Sequence, residues 1–586
     1  MDTFEDGSAA SFDGQKILET LKSLKKITKW ELVDERRKFI HKVYPLIKKC
    51  VRPSPLLPNV QDIFSSEDVE RLAIDCINFE HKVEFAAFIF FLSITGYKDE
   101  SKLNGDGKPS SRRTTPVHIA AKKNQFSPHY LFVIYNRYDV NYTDESGLSH
   151  FHVACMNCYL DDVKKFLELG QDPNCLWLET GDSPLHLILS GDDDEFQHEQ
   201  SVELLLRSGA DLNLVNKEGL TPLHIISKKY TSGLREVPEV QKMLFEISDE
   251  LNLPLPIDAR DKFGNTPLHL AMLNNGVYVT QMLLRRGANP NLANNEGSTP
   301  LHLFYMRRDY YDIGLMELFF KICDEVNRPV QVDVVDKLGR TPLQLAVANL
   351  CPDCIDILFE HGADLCKFVF PSDYFATKIS KSRPSSITFN CRLRIASGAL
   401  AVVERIENRG YKLKRSDALT IMKCFAEYKL FENSADLHQF WYDDKMFTRE
   451  ARTIKIRPGI SHVQRYRDDE EWTYKTGREI RESPSLRLDE IVRLQPEEAA
   501  KLFTYEDYCK FACSTHLNDQ LDKYQELSAL NLCEKLSRGF FRSWALDPFW
   551  EMIHKRLPLE VCEMIIEQLS NKDLYNVCLA AAGKSS

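Results

Sequence analysis

Histidine is the residue type in this chain whose number and spacing most readily suggest chemistry. Six of its sixteen histidines recur at intervals of 33 to 45 residues. Imidazoles that converge on one point can bind a metal ion or transfer protons. Each of the six, however, is the fourth residue of a Thr/Ser-x-x-His pattern, in which the hydroxyl caps a helix and the imidazole bonds locally. The spacing therefore indicates a repeated structural role for His118, His152, His186, His224, His269 and His302.

Two cysteine pairs have the CxxC spacing that is found in zinc sites and redox motifs. Cys155 and Cys158 form one pair, and Cys351 and Cys354 form the other. Neither pair has a second pair nearby at zinc-site spacing, and each falls within a repeated unit near the junction of its two helices. We expect structural cysteines and no metal site.

Two further motif fragments also lack the context that their chemistry needs. His198-Glu199 lacks the second histidine of a zinc protease, and Gly105-Asp106-Gly107-Lys108 lacks the frame of a phosphate-binding loop. No nucleophile, base and orienting group can be assembled. The sequence therefore predicts no catalytic residue, no cofactor and no enzymatic activity.

The histidines belong to a longer repeated pattern that fixes the architecture. Seven copies of it begin at Thr115, Ser149, Ser183, Thr221, Thr266, Thr299 and Thr341. In six copies a glycine lies two residues before the Thr or Ser, as suits a turn with positive φ. Pro occupies the first helical turn of most copies, and a second apolar helix in each full copy ends at Gly, as in Leu205–Ala210. The pattern resembles ankyrin repeats over about residues 112–366, which implies stacked helix pairs that bind other proteins.

This resemblance divides the chain into four parts. Residues 1–111 read as a helical N-terminal cap, with apolar positions at Ile17, Leu21 and Leu24, because a solenoid needs an end cap. Residues 112–366 are the ankyrin repeats, about seven in number. Residues 367–454 form a connector in which Leu393–Leu413 looks like a degenerate repeat, and residues 455–586 form a C-terminal helical domain. The predicted fold class is all-α.

Composition excludes several other classes of protein. The 586 residues carry a net charge of −11, so no domain-wide basic excess is present to bind nucleic acid. The longest apolar run, Ala86–Ile94, is too short to span a bilayer. Basic stretches such as Arg36–Lys42 alternate with apolar residues and read as solvated helix faces. The cysteines show no disulfide framework and the first residues are polar, so we expect the cytoplasm or the nucleus.

The C-terminus carries the second informative pattern. The segment from Leu557 reads Leu-Pro-x-Glu, then an apolar helix, then Leu569, and Asp573-Leu574 follow. Within the helix, one apolar stripe contains Val561, Met564, Ile565 and Leu569, and Cys562 and Ile566 form another. A helix that is apolar on two faces must be buried between two bodies. At about 26 residues, Leu557–Ala582 is too short to fold without a neighbour or a partner.

This pattern resembles the opening of an F-box. Ankyrin repeats followed by such an ending are similar to the PRANC family of poxviruses, parasitoid wasps and some bacterial symbionts, and the resemblance covers about residues 455–582. It implies a substrate receptor that recruits a Skp-type adaptor, and through it a cullin-RING ubiquitin ligase, to an ankyrin-bound target such as a host signalling protein. The residues implied to bind the adaptor are Leu557, Pro558, Glu560, Val561, Ile565, Ile566, Leu569, Asp573 and Leu574.

The target itself is not named by the sequence. Three repeats are longer than the 33-residue standard, and insertions in a solenoid map to loops that often bind partners. The candidate target-binding residues in these insertions are Asp192, Asp193, Asp194, Glu195, Leu253, Leu255, Asp324 and Val330. The alternative function is a stoichiometric inhibitor whose repeats mask a signalling protein, such as a Rel-type transcription factor, and whose C-terminal helices only cap the array.

Overall fold

A computed structural model describes most of the chain. The residues that it describes are 14–48, 57, 60–78, 82–100, 110–123, 128–191, 196–229, 239–306, 313–376, 389–431, 455–456, 464–468, 471–475, 486–513 and 525–583. They divide into two compact units, residues 1–267 and 268–586. The described residues are predominantly helical, which confirms the predicted all-α class.

The first unit opens with four helices. They are α1 (Gly14–Ile27), α2 (Val33–Ile47), α3 (Ser66–Asn78) and α4 (Lys82–Ile94), with a short 3-10 turn at Val60–Asp62. Helices α3 and α4 pack on the next two helices of the chain, Pro116–Lys123 and His129–Ile134, as the predicted cap requires.

One basic residue of the cap does not lie on the solvated face expected for Arg36–Lys42. Arg36 is buried, and its Nε donates to Asp75 Oδ2 at 2.5 Å. The guanidinium replaces the water it loses with a carboxylate from α3, and it also donates to the Trp30 carbonyl. Arg36 therefore belongs to the core, whereas Lys38 and Lys42 are exposed as expected.

Helix pairs form the rest of the first unit and the start of the second. In the first unit these helices are α5 (Pro116–Lys123), α6 (His129–Ile134), α7 (His150–Met156), α8 (Leu160–Glu168), α9 (Pro184–Leu189), α10 (Phe196–Arg207), α11 (Pro222–Lys228) and α12 (Glu239–Glu250). In the second they are α13 (Pro267–Leu273), α14 (Val277–Arg285), α15 (Pro300–Tyr305), α16 (Ile313–Glu325), α17 (Pro342–Ala348) and α18 (Pro352–Glu360).

Glycine makes close approach between the backbones of successive repeats possible. Gly181 and Gly219 have φ of +76° and +75°. A Cβ at Gly181 would lie 2.8 Å from the Lys217 amide nitrogen, and one at Gly219 would lie 2.9 Å from that of Lys262. These two positions therefore require glycine for both backbone conformation and space.

In the last part of the second unit, the described residues form eight helices. They are α19 (Phe389–Asn408), α20 (Arg415–Glu427), α21 (Leu488–Arg493), α22 (Pro496–Leu502), α23 (Tyr505–Cys513), α24 (Gln525–Met552), α25 (Leu559–Gln568) and α26 (Asn571–Gly583). Two small antiparallel ribbons accompany them: β1 (Lys455–Ile456) pairs with β4 (Leu486–Arg487), and β2 (Gln464–Asp468) pairs with β3 (Glu471–Lys475).

The segment expected to be a degenerate repeat has a different structure. Most of Leu393–Leu413 lies in the single 20-residue helix α19, so the two short helices of a repeat are not formed there. Helix α19 packs on α18, α23 and α24. Its small buried side chains, Ala396, Ala399 and Ala401 among them, allow this close packing of several helices.

The two CxxC pairs differ in bonding. Cys155 and Cys158 are buried and are not joined to each other, and Cys351 and Cys354 are joined by a disulfide at the start of α18. Among the described residues, no group of His, Cys, Asp and Glu is arranged to hold a metal ion, and no helix is both long and apolar enough to cross a membrane.

Candidate interaction surfaces

The recurring histidines link each repeat to the following one. His186 Nδ1 lies 3.3 Å from the Ser183 amide nitrogen, and its Nε2 lies 2.9 Å from the Leu220 carbonyl oxygen of the next repeat. Because a carbonyl can only accept, Nε2 carries the proton and Nδ1 accepts from the amide. His118, His152, His224 and His302 make the same two types of contact, to Tyr142, Cys175, Asn265 and Arg340 carbonyls respectively.

Both ring nitrogens of these histidines are therefore already engaged. Burial lowers the pKa of His118 to about 4 and also lowers the pKa of His152, His186, His224 and His302. The imidazoles are neutral structural links at neutral pH, as the sequence pattern indicates.

Gln344 replaces histidine in the seventh repeat and makes equivalent hydrogen bonds. Its Oε1 accepts from the Thr341 amide at 2.8 Å, and its Nε2 donates to the Val369 carbonyl at 3.0 Å. An amide can thus perform the same linking role without a titratable ring.

Apolar side chains project from the turns that precede the helix pairs. In the first unit, the Lys217 amide donates to Thr180 O and the Lys262 amide to Glu218 O, each at 2.9 Å, so successive turns are fixed to one another. Leu178, Val215 and Phe263 lie in these turns and are more than half exposed. In the second unit Val335 and Leu338 are exposed in the corresponding turn. We define these five residues as the turn-tip residues.

The sequence did not single out the turn-tip residues. A local signal was present, because each is a large apolar side chain directly beside a polar or charged residue of its turn: Glu179, Asn216, Lys262, Asp336 or Lys337. Exposed apolar side chains presented on a fixed backbone are typical of protein-binding surfaces.

The structure describes some of the insertions that are predicted to bind a target, and not others. Asp192–Glu195 lies outside the described residues. Leu253 and Leu255 are partly exposed in a loop that Asn213 Nδ2 contacts at the Pro254 carbonyl, 3.4 Å away.

The third insertion is also in contact with its neighbouring repeats. Asp324 is exposed in the last turn of α16, with Oδ2 3.8 Å from His361 Nε2. Val330 follows Pro329, whose carbonyl accepts from Asn291 Nδ2 at 2.8 Å. Asp324 is exposed and Val330 is partly exposed.

Helix α25 is attached to the protein by one face. Cys562 and Ile566 are buried, and α25 packs on α24. Arg538 of α24 donates to the Glu567 carbonyl at 2.9 Å, and Arg542 pairs with the Glu567 side chain. These cations stabilise the C-terminal end of α25, where unpaired carbonyls concentrate.

Helix α26 is held just as firmly by a buried amide. Asn571 is fully buried; its Nδ2 donates to Ser537 Oγ at 3.0 Å and to Glu534 O at 3.1 Å, and its Oδ1 accepts from Arg538. The α25–α26 pair is therefore positioned before any partner binds.

Exposed apolar side chains lie just before α25, at its first residue and on its face away from Cys562 and Ile566. The exposed fractions are 38% for Leu557, 39% for Leu559, 37% for Val561 and 66% for Met564. We define these four residues as the α25 apolar face. Glu560 and Glu563 are exposed beside them, and Trp550 Nε1 fixes the approach to the helix by donating to the Leu557 carbonyl at 3.0 Å.

The structure corrects part of the predicted adaptor-binding set. Ile566 and Leu574 are buried in the protein's own core, with 2% and 0% exposure, because they face α24. Asp573 caps α26, accepting from Ser570 Oγ at 2.5 Å. Ile565 and Leu569 are partly exposed, and Pro558 is exposed at the start of α25. Leu559 and Met564 join the accessible face instead; Leu559 is the variable position of the Leu-Pro-x-Glu pattern and so carries no motif signal.

Comparison with known proteins agrees with the repeat geometry. A family model of ankyrin repeats (3 copies) matches residues 195–294 and 275–368. Neurogenic locus notch homolog protein 1 of human and of mouse is 32% identical over 165 residues, which cover 28% of this chain and 6% of the relative. Human transient receptor potential cation channel subfamily A member 1 is 29% identical over 189 residues, covering 32% of this chain and 15% of the relative.

The shared region is limited to the repeats. The chain spans only 6% to 15% of the length of these relatives. Ankyrin repeats indicate a role in protein–protein interaction. The matched residues, their paired helices and their Thr/Ser-x-x-His links together show that this chain contains ankyrin repeats.

Proposed function

We propose that this protein is a substrate receptor, which holds a target protein on its ankyrin repeats and recruits a Skp-type adaptor of a cullin-RING ubiquitin ligase through α25. The observation that carries the proposal is the α25 apolar face, exposed on a helix whose other face is anchored. Four large apolar side chains within Leu557–Met564 are exposed to water, and a partner that covers them would stabilise the complex by about 25 cal/mol for each Å² of apolar surface buried.

The anchoring of α25 supports binding by a preformed surface. Arg538 and Asn571 fix the α25–α26 pair on α24, so a partner need not order these helices when it binds. Less conformational entropy is then lost on association. The exposed Glu560 and Glu563 give the apolar face a polar rim, as in many protein interfaces.

The turn-tip residues are the proposed contacts for the target. They lie apart from α25 in sequence and are presented by turns that hydrogen bonds hold in place. The receptor does no chemistry in this proposal. It raises the local concentration of the target near the ligase, which accelerates transfer by proximity.

The test uses purified full-length protein and a purified Skp-type adaptor, with the dissociation constant measured by calorimetry. Met564→Glu should weaken adaptor binding by about 1–3 kcal/mol, because it places a charge in the centre of the apolar face. Leu338→Glu is the matched control, since it introduces the same charge at an exposed leucine among the turn-tip residues. It should leave adaptor binding unchanged.

The same two variants separate adaptor binding from target binding. Proteins captured from cytosol by the parent chain should be retained by Met564→Glu and lost from Leu338→Glu. If the parent chain does not bind the adaptor, or if Met564→Glu binds it as tightly as the parent, the receptor proposal is wrong. Retained capture of a target would then support the inhibitor that masks a signalling protein.

A further inference from the structure

A groove lies beside α24, between that helix and side chains of α19, α22 and α23. Two cavities of about 600 and 430 Å³ share Tyr505 and Gly539 in their walls and therefore adjoin. Ligand sites in proteins usually have volumes of this order. Their other aromatic walls are Phe540 and Trp544 in the larger cavity and Phe503 and Tyr508 in the smaller one. We name the two cavities together the α24 groove.

The cations of the groove are already paired with groups of the protein. Arg415 donates to both carboxylate oxygens of Glu551 at 2.8 Å. Lys535 donates to carbonyl oxygens in the last turn of α21, and Arg538 to those of α25. Arg542 pairs with carboxylates of α22 and α25. These side chains have structural partners and do not call for an anionic ligand.

The carboxylates that α19 contributes to the groove are different. Glu404 and Glu407 lie one turn apart, and neither makes a hydrogen bond or an ion pair with the described residues. Both residues are exposed at the groove, and partial desolvation raises the pKa of both. Burial and, after it, the charges of these two glutamates raise the pKa of Tyr505, which places its ring near both. A partly desolvated carboxylate beside an aromatic ring favours a cationic ligand.

Gly539 provides an independent indication of an occupant. It lies in the interior of the 28-residue helix α24, where glycine is about 1 kcal/mol less favourable than alanine. A Cβ at this position would meet no atom of the protein within 4 Å, so packing does not require glycine. The missing side chain instead leaves the helix backbone accessible at the point where the two cavities meet.

From these observations we propose that the α24 groove binds a basic peptide segment of a partner protein. A Lys or Arg side chain lies between Glu404 and Glu407 and over the Tyr505 ring, while the peptide backbone passes Gly539. The partner is an extended basic segment, because the groove is open along two cavities and its unpaired charges are acidic. This site is separate from the α25 apolar face and does not depend on the receptor proposal.

The test measures peptide binding to the full-length chain by fluorescence anisotropy. The probes are a short fluorescein-labelled peptide of alternating alanine and lysine and its counterpart with glutamate in place of lysine. We expect the lysine peptide alone to bind. Glu404→Gln combined with Glu407→Gln should weaken it roughly tenfold, through the loss of two ion pairs and part of a cation–π contact. Glu427→Gln on α20 is the control, because it removes a charge from an exposed ion pair outside the groove.

Gly539→Ala distinguishes binding from folding. It should raise the melting temperature, since alanine favours the helix, while it weakens the lysine peptide by filling the groove. The proposal is overturned if both peptides bind alike, if the double glutamine variant binds as tightly as the parent, or if Glu427→Gln weakens binding equally.

Discussion

Replacing His186 tests whether the recurring histidines hold the array together. His186→Ala removes two hydrogen-bonded links: the contact of Nδ1 with the Ser183 amide at the start of α9, and the contact of Nε2 with Leu220 O in the next unit. His186→Gln should keep both contacts, because Gln344 makes the two equivalent hydrogen bonds in the seventh repeat.

The structure sets the expected magnitudes. Loss of a capping interaction costs about 1 kcal/mol. Loss of the bond to Leu220 costs about 1 kcal/mol, since that carbonyl still accepts from the Asn216 amide. The ring is fully buried, so its removal leaves a cavity and adds about 1 kcal/mol. We therefore expect His186→Ala to lower the free energy of unfolding by about 3 kcal/mol, and His186→Gln by less than about 1 kcal/mol.

Urea unfolding followed by circular dichroism at neutral pH measures both variants. A second measurement varies the pH. Burial lowers the pKa of His186 in the folded chain, whereas the unfolded chain titrates near 6.5. The stability contributed by the neutral ring is thus fully present above pH 6.5 and is lost as the pH falls toward the folded-state pKa, at up to about 1.4 kcal/mol per pH unit.

The glutamine variant should lose stability less steeply than the parent between pH 6.5 and 5, by the share of one histidine. Equal losses for alanine and glutamine at neutral pH would refute the linking role. An unchanged pH slope in the glutamine variant would refute the neutral state of the ring.

Three other predictions concern packing. Gly181→Ala should cost at least about 2 kcal/mol in urea unfolding, whereas Gly170→Ala, which also has positive φ but meets open space, should cost about 1 kcal/mol; equal costs would exclude the close approach to Lys217. Arg36→Met should cost about 3–5 kcal/mol by leaving Asp75 buried without a counterion, and adding Asp75→Leu should restore most of it; no recovery in the double variant would contradict the pairing. Asn571→Ala should raise amide hydrogen exchange in α25 and α26 but not in α19, and unchanged exchange in α25 and α26 would show that Arg538 alone positions the pair.

Local patterns in the sequence predict the repeats well. Each Thr/Ser-x-x-His, the Pro that follows the cap and the preceding Gly act within a few residues of one another, so spacing alone locates the helix starts at Pro184, Pro222 and Pro342. The two apolar stripes of α25 also anticipate a helix with one attached and one accessible face.

Contacts between distant segments are what the sequence could not supply. The burial of Arg36 depends on Asp75, and the burial of Ile566 and Leu574 depends on α24. The α24 groove combines α19, α22, α23 and α24, which no local motif joins. Leu393–Leu413 contains apolar residues at helical spacing whether it forms one long helix or two short ones, so its pattern did not distinguish the two.

The histidine links give the array a direction. Each of these rings donates to a carbonyl of the repeat that follows it, from Tyr142 to Arg340. None of these hydrogen bonds is made to the preceding repeat. Removing a repeat from the N-terminal side therefore removes an imidazole donor, and the carbonyl left in the next repeat can still accept from other amides. Shortening it from the C-terminal side leaves a buried imidazole N–H without an acceptor. Truncated forms of this protein should tolerate loss of early repeats better than loss of late ones, and any natural boundary should fall where a following segment supplies the last carbonyl acceptor, as Val369 does for Gln344.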